Sequence, residues 1–470
     1  LKKCRYVIYF VNKLIKVFII MPHDHIQCLI KNLNPPNEIY PSKDIPTVST
    51  STNSSIECLI KFIALKINKV DKLLKDIKSA LNDNGNGNGS SNGSGNSDEN
   101  NPWSALGNGT SGYVNSVALD TNGNIYAGGT FIRAGQVTVN NIALWDITLE
   151  TWSALETLEG IKGINGTVNA IAIDKTTGNI YAGGYFTQAG GVTVNNIALW
   201  DPTLKKWSAL ETLEGIKGIN GTVNAIAIDK NTGYVYVGGT FTRAGDVTVN
   251  NIALWDQTLE KWSALEKGIN GVVNAISIDS NSNVYAGGTF TKASENVVNN
   301  IAMWNLTSNK WSTLQSSEGS IGTNNTVYAI TVDSNNNVYV GGVFTEAGGV
   351  KLYFIALWNP SLKVWSDIGF DSQGILENYG NTYISTIAID NSTNIVYVGG
   401  NIKPVGEFTD SQYIAKLDIN SGIWDQLTTG CNNFVNTITT DLNNRIYVGG
   451  LFTESGDIPT NYISTYSYTS

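Results

Sequence analysis

The sequence predicts an all-β fold, a seven-bladed β-propeller of four-stranded antiparallel blades, preceded by a helical, coiled-coil-like N-terminal segment. Three observations predict it. A hydrophobic strand ending in Gly-Gly recurs seven times, closing at Gly129, Gly184, Gly239, Gly288, Gly342, Gly400 and Gly450, at intervals of 49 to 58 residues, the length of one blade. Further strands keep phase with it, an alternating one upstream and an aromatic pair downstream. Ahead of the repeats, apolar residues recur with period seven, the pattern of a long helix.

The elements follow in chain order. Residues 1–20 are basic in front and apolar behind, but Lys13 and Lys16 interrupt the apolar run short of the ~20 residues a spanning helix needs. No small-residue cleavage pattern follows. This segment reads as lying upstream of a translation start at Met21, the competing reading being a basic, amphipathic anchor; no transmembrane span is expected. Residues 21–55, with Pro35, Pro36, Pro41 and Pro46 and then a Ser/Thr run, read as extended linker. His23 and His25 flank Asp24 there, and two histidines on a chain end read as solvated residues, not as a metal site.

Residues 56–82 carry two interleaved series, Ile56, Ile63, Val70, Ile77 and Ile60, Ile67, Leu74, Leu81. Taken as d and a positions they make nearly four heptads, and a seam of Ile and Leu favours three or four strands over two. A homotrimer or homotetramer through residues 56–82 is therefore expected. Leu59 and Leu73 widen the stripe, which would also suit a single helix lying on a partner surface. Residues 83–102, rich in Gly, Asn and Ser, read as a flexible tether with a reach on the order of 25 Å.

The propeller is expected over residues 103–470. Each blade opens with an alternating strand such as VNSVALD ending at Asp120 or VNAIAID ending at Asp174, then the Gly-Gly strand, then NIALW ending at Trp145, Trp200 or Trp255, then a strand beginning at Trp152, Trp207 or Trp262. The seventh WSAL-like strand is absent at the C-terminus and present at Trp103-Ser104-Ala105-Leu106. An N-terminal strand completing the last blade would close the ring and remove its free edges. This layout places all 12 Trp and gives most of the 48 Gly a structural role. The doublets lack the Lys-Ser/Thr and helix of a phosphate loop and read as points of close backbone packing.

The Gly-Gly strand followed by paired aromatics in a unit of about fifty residues resembles the kelch repeat. The wording YVGG-xFTxAG, NxIAxWD and WSAL is similar to kelch-like propellers of bacterial surface proteins, fungal cortical polarity markers and giant-virus proteins. The resemblance implies a binding scaffold. Kelch-type galactose oxidases use His, Tyr and Cys to hold copper, and the repeats contain no His. The N-terminus does not resemble the BTB domain of kelch adaptors.

Composition narrows the chemistry. With both of its 2 His near the N-terminus, the repeat region has no imidazole for Ser-His-Asp or Cys-His catalysis or for histidine-ligated metals. Cys4, Cys28, Cys58 and Cys431 are too scattered for a disulfide framework or zinc motif. Residues 1–82 hold 13 Lys+Arg against 6 Asp+Glu, so the net charge of -9 hides an acidic body, a poor partner for nucleic acid. Asp120-x-Asn122-x-Asn124, Asp279-x-Asn281-x-Asn283 and Asp333-x-Asn335-x-Asn337 have the alternating oxygens of a calcium loop, but lack its Gly and bidentate Glu. They read as turns. No cofactor is expected.

The repeat varies in its FTxAG loop. Four residues after each doublet stand Arg133, Gln188, Arg243, Lys292, Glu346, Pro404 and Glu454, which phase places in a ring on one face. Drift at exposed loop positions is the competing reading. The expected function is a non-enzymatic binding or scaffold protein that recognises a protein or glycan through Arg133, Gln188, Arg243, Lys292, Glu346 and Glu454, in a virion-surface or extracellular setting rather than the cytoplasm. The alternative is a carbohydrate-active hydrolase with Asp/Glu residues in the propeller funnel, which requires two carboxylates about 5–10 Å apart.

Overall fold

A computed structural model describes residues 101–368, 382–402, 412–441 and 443–467. The expectations for residues 1–20, 21–55, 56–82 and most of 83–102, and the position of Pro404, lie outside the described residues. Those residues form seven four-stranded sheets and six two-stranded hairpins, with no helix among them.

Blade 1 shows the pattern: Val114–Leu119, Ile125–Gly129, Ile142–Asp146 and Thr151–Ala154, antiparallel in that order. Each first strand packs beside the next, and that of blade 7 (Val435–Thr440) returns to that of blade 1. The last strand of blade 7 is Trp103–Ala105, with Trp103 opposite Tyr466 and Ala105 opposite Ser464. The two ends of the propeller sequence thus share one sheet.

The apolar core lies between the blades. Tyr126 and Ile142 of blade 1 pack with Val168, Ile171, Ile180, Trp200 and Trp207 of blade 2, and equivalent clusters fill the other joints. The two glycines of each doublet do different work. A Cβ on the first, as in Gly238, would collide with Val273 and Ile276 of the next blade; on the second, Gly239, it would collide with the Thr222 carbonyl of its own blade. That second approach accompanies a bulge, the register slipping between Val223 and Ala225, and every first strand has the same slip.

Two sets of bonds circle the molecule. On the outside, the indole N–H of each fourth-strand tryptophan donates to the carbonyl ending the fourth strand of the preceding blade. Trp152 reaches Leu106, Trp207 Leu155, Trp262 Leu210, Trp311 Leu265, Trp365 Leu314 and Trp424 Ile368, and Trp103 reaches Leu427, all at 2.8–3.4 Å. On the inside, the bulge residue of six of the seven first strands reaches the next blade. The amides of Asn115, Asn169, Asn224, Asn274 and Asn436 donate to the carbonyls of Val168, Val223, Val273, Val327 and Val114 at 3.0–3.2 Å. Ser385 does the same to Val435. Blade 5 carries Tyr328 there.

Candidate functional site

In each blade the first strand begins where the second ends, as Val114 opposite Gly129 shows. The hairpin after each doublet and the loop entering each blade therefore share one face of the ring, and the Asp turns share the other. The six described variable residues, Arg133, Gln188, Arg243, Lys292, Glu346 and Glu454, each open a hairpin at the same register, and all are exposed. They sit one to a blade around the face, and no ion pair joins any two of them among the described residues. Arg243 also lines a cleft of about 330 Å³ with Asn195, Ile216, Lys217, Ile219 and Asn220.

A residue that the sequence reading did not single out holds each of these positions. Asn220 accepts the backbone N–H of both Thr242 and Arg243 on Oδ1 and donates from Nδ2 to Thr242 Oγ1. Asn165, Asn270, Asn324 and Asn432 repeat the arrangement for Gln188, Lys292, Glu346 and Glu454. In blade 1 Ser111 accepts from Ile132 and Arg133. The signal was present as an Asn in phase with every hairpin but the first, which has Ser111. Because these bonds fix the hairpin backbone, the side chain in the adjoining position is not needed for it and can vary; the Arg243 guanidinium makes only a long contact, 3.5 Å, to the Asp246 carbonyl of its own hairpin.

Inside the ring is a channel of about 200 Å³, lined by Ser116, Asn169, Asn224, Ser385 and Thr386 with Ala and Ile side chains between them. No Asp or Glu is among its described lining residues, which counts against the funnel hydrolase, since that chemistry needs two. The turn carboxylates belong to the opposite face and are occupied. Asp120 Oδ1 accepts from the N–H of Asn122 and Asn124, and Asp279 and Asp333 do likewise. Burial acts to raise the carboxyl pKa of Asp174, yet hydrogen bonds from Thr176, Thr177 and Gln257 carry it below the usual range. A general acid needs the reverse. No group of three or more His, Cys, Asp or Glu converges among the described residues. Cys431 is buried, which pushes its thiol pKa up and suppresses the thiolate.

The hairpin face holds a feature that the sequence reading missed. In blades 5 to 7 aromatic residues replace asparagines that precede the third strand, giving Phe354, Tyr413 and Tyr462 at φ 65–72°. Tyr113, Tyr328 and Tyr353 stand exposed nearby in the sequence of the same loops and first strands. Tyr328 meets Tyr383, Tyr383 meets Phe434, Phe434 meets Tyr413, and Tyr113 meets Tyr462, at ring separations of 5.6–6.2 Å.

Comparison with known proteins agrees on the architecture. A family model described as the Rax2 C-terminal beta propeller domain matches residues 209–326, about a quarter of the chain. Among solved structures the chain is similar to that of U3-55K, with TM-score 0.53, 12% identity, and coverage of 78% of this chain and 98% of that one. It is also similar to the RRP9 WD40 repeats, with TM-score 0.51, 12% identity, and coverage of 78% and 99%. At that identity the likeness is one of fold. No curated protein matches the sequence. A propeller is therefore supported from two sides, whereas the family model that matches is not one of the kelch repeat.

Proposed function

We propose that this chain is a non-enzymatic binding protein, a multivalent propeller head on an oligomerising stalk, which takes a protein or glycan ligand on its hairpin face. The observation that carries this reading is the division of labour in the hairpins: an invariant Asn or Ser frame fixes the backbone while the exposed residue beside it changes from basic to neutral to acidic. Propellers of the WD40 kind serve mainly as interaction scaffolds, which supports a protein partner. The period-seven pattern of residues 56–82 supports a trimer or tetramer, and the tether over 83–102 lets the heads engage separate sites. Several weak contacts then add to high avidity. Multivalent attachment of this kind suits a virion or cell surface.

Two measurements test the proposal. Light scattering of the full chain is expected to give three to four times the chain mass, falling to the monomer when residues 56–82 are removed; equal masses would refute the stalk. On arrays of glycans and immobilised peptides, the Arg133→Ser, Arg243→Ser, Lys292→Ser triple variant is expected to lose about tenfold or more of the avidity of the unaltered chain, with its thermal unfolding unchanged. Undiminished binding would remove the hairpins from the interface.

A further inference from the structure

Blades 1–4 and blades 5–7 differ at matching positions, and the differences gather on the hairpin face. In blades 1–4 the residue before the third strand is Asn141, Asn196, Asn251 or Asn300, left-handed at φ 60–65° and bonded through both ends of its amide. Asn141, for example, accepts the Phe131 N–H and donates to the Ile164 carbonyl of the next blade's loop, and the other three repeat this. Phe354, Tyr413 and Tyr462 keep the left-handed backbone, which bulky residues adopt only under constraint, and have no amide with which to make those bonds. At the joint of blades 5 and 6, Tyr328 likewise stands in place of the inward-reaching asparagine. One sector of the ring thus gives up frame hydrogen bonds and stores backbone strain, a combination that collects at binding sites.

What the sector gains is aromatic surface, and none of the substituted positions carries a charge. Tyr383, Phe434 and Tyr113 open the first strands of blades 6, 7 and 1, where blades 2, 3 and 5 have Thr167, Thr222 and Thr326. Tyr113 and Tyr328 are 50% and 39% exposed. Asn325 and Asn433 occupy positions that are glycine in blades 1–4. Each accepts the N–H of the following residue on Oδ1, and neither Nδ2 bonds another described residue. Exposed rings beside unspent amide donors fit a particular ligand chemistry. The weakly positive C–H face of a sugar is drawn to the negative face of a ring, its hydroxyls accept from amides, and an uncharged sugar needs no ion pair. We infer that the aromatic sector of blades 5, 6, 7 and 1 is a binding subsite for a neutral sugar.

This inference rests on the binding-head reading and is tested so that the two can fail separately. The full chain is applied to an array of uncharged oligosaccharides, charged glycans and peptides, alongside Tyr328→Asn, Tyr462→Asn and Tyr383→Thr. Each substitution installs the residue that other blades use at that position, so thermal unfolding should stay level or move upward. Binding to at least one neutral glycan is expected, falling tenfold or more in Tyr328→Asn and Tyr383→Thr. A neutral glycan bound equally by those variants overturns the subsite. Binding of only peptides or charged glycans overturns the sugar assignment and leaves the binding head standing, while no binding to any array member overturns both. Should one variant fail to fold, Tyr328→Phe, which keeps the ring and drops only the hydroxyl, is expected to retain sugar binding; its loss there would count against stacking.

Discussion

Replacing Trp103 by alanine is expected to destabilise the propeller by about 3–5 kcal/mol, the cost of removing a fully packed tryptophan. The side chain is buried against Tyr466, at 5.1 Å between ring centres, and its indole N–H donates to the Leu427 carbonyl and to Thr428 Oγ1. Any tryptophan of the outer circle would lose comparable packing. Trp103 differs because its strand is the one that joins the chain ends: Leu106, which follows it, accepts the indole N–H of Trp152. Loosening the strand therefore weakens both joints of blade 7 and bares the edge at Ile463–Ser467. Urea unfolding of Trp103→Ala beside Trp262→Ala is the measurement. Comparable losses of stability are expected, with aggregation on partial unfolding confined to Trp103→Ala; a stability near that of the unaltered chain would show that closure does not depend on this strand.

A sharp alkaline unfolding is expected between pH 10 and about 12. Tyr126, Tyr339 and Tyr447 are pushed up to about 12, first by burial and then by the charge of Asp120, Asp333 and Asp441. Tyr181, Tyr236 and Tyr285 move the same way, beside Asp174, Asp229 and Asp279. The folded chain holds these phenols neutral, whereas an unfolded tyrosine ionises near pH 10. Their contribution is thus whole below pH 10 and is lost as pH rises toward the folded value. Each phenol costs about 1.4 kcal/mol per pH unit in that window. Six acting together lose on the order of 8 kcal/mol per unit, comparable to a whole domain's stability. Circular dichroism and tyrosinate absorbance should change together, and Tyr236→Phe should move the midpoint to higher pH. Ionisation of the buried rings at ordinary pH with the fold intact would contradict this.

The parts of the molecule that repeat were legible in the sequence because seven copies state the same constraint. Gly238 and Gly239 could be read as packing points without knowing that one faces Val273 and the other the Thr222 carbonyl. The closing role of Trp103 followed from a missing seventh strand. The frame asparagines were visible in phase but silent in function, since an Asn in the loop entering a blade, such as Asn220, gives no hint that its Oδ1 accepts two N–H groups from a hairpin 22 residues on. The aromatic sector was hidden for the opposite reason. Tyr413 and Tyr462 are departures from the repeat, and reading a consensus discards departures. Only the left-handed backbone at those positions shows that an aromatic side chain there carries a cost.

The joints between blades have an evolutionary consequence. Both circles of hydrogen bonds run from a side chain of one blade to a main-chain carbonyl of its neighbour, and a carbonyl is supplied by any residue. A blade therefore does not have to match its neighbour in side chains to dock through these bonds, and a copied segment arrives already compatible on both flanks. Blades 2 and 3 share ALETLEGIKGINGTVNAIAIDK at residues 154–175 and 209–230 and sit side by side with equivalent joints. A gene built this way can exchange whole blades by unequal recombination, and new specificity can be sampled one blade at a time while the ring stays closed.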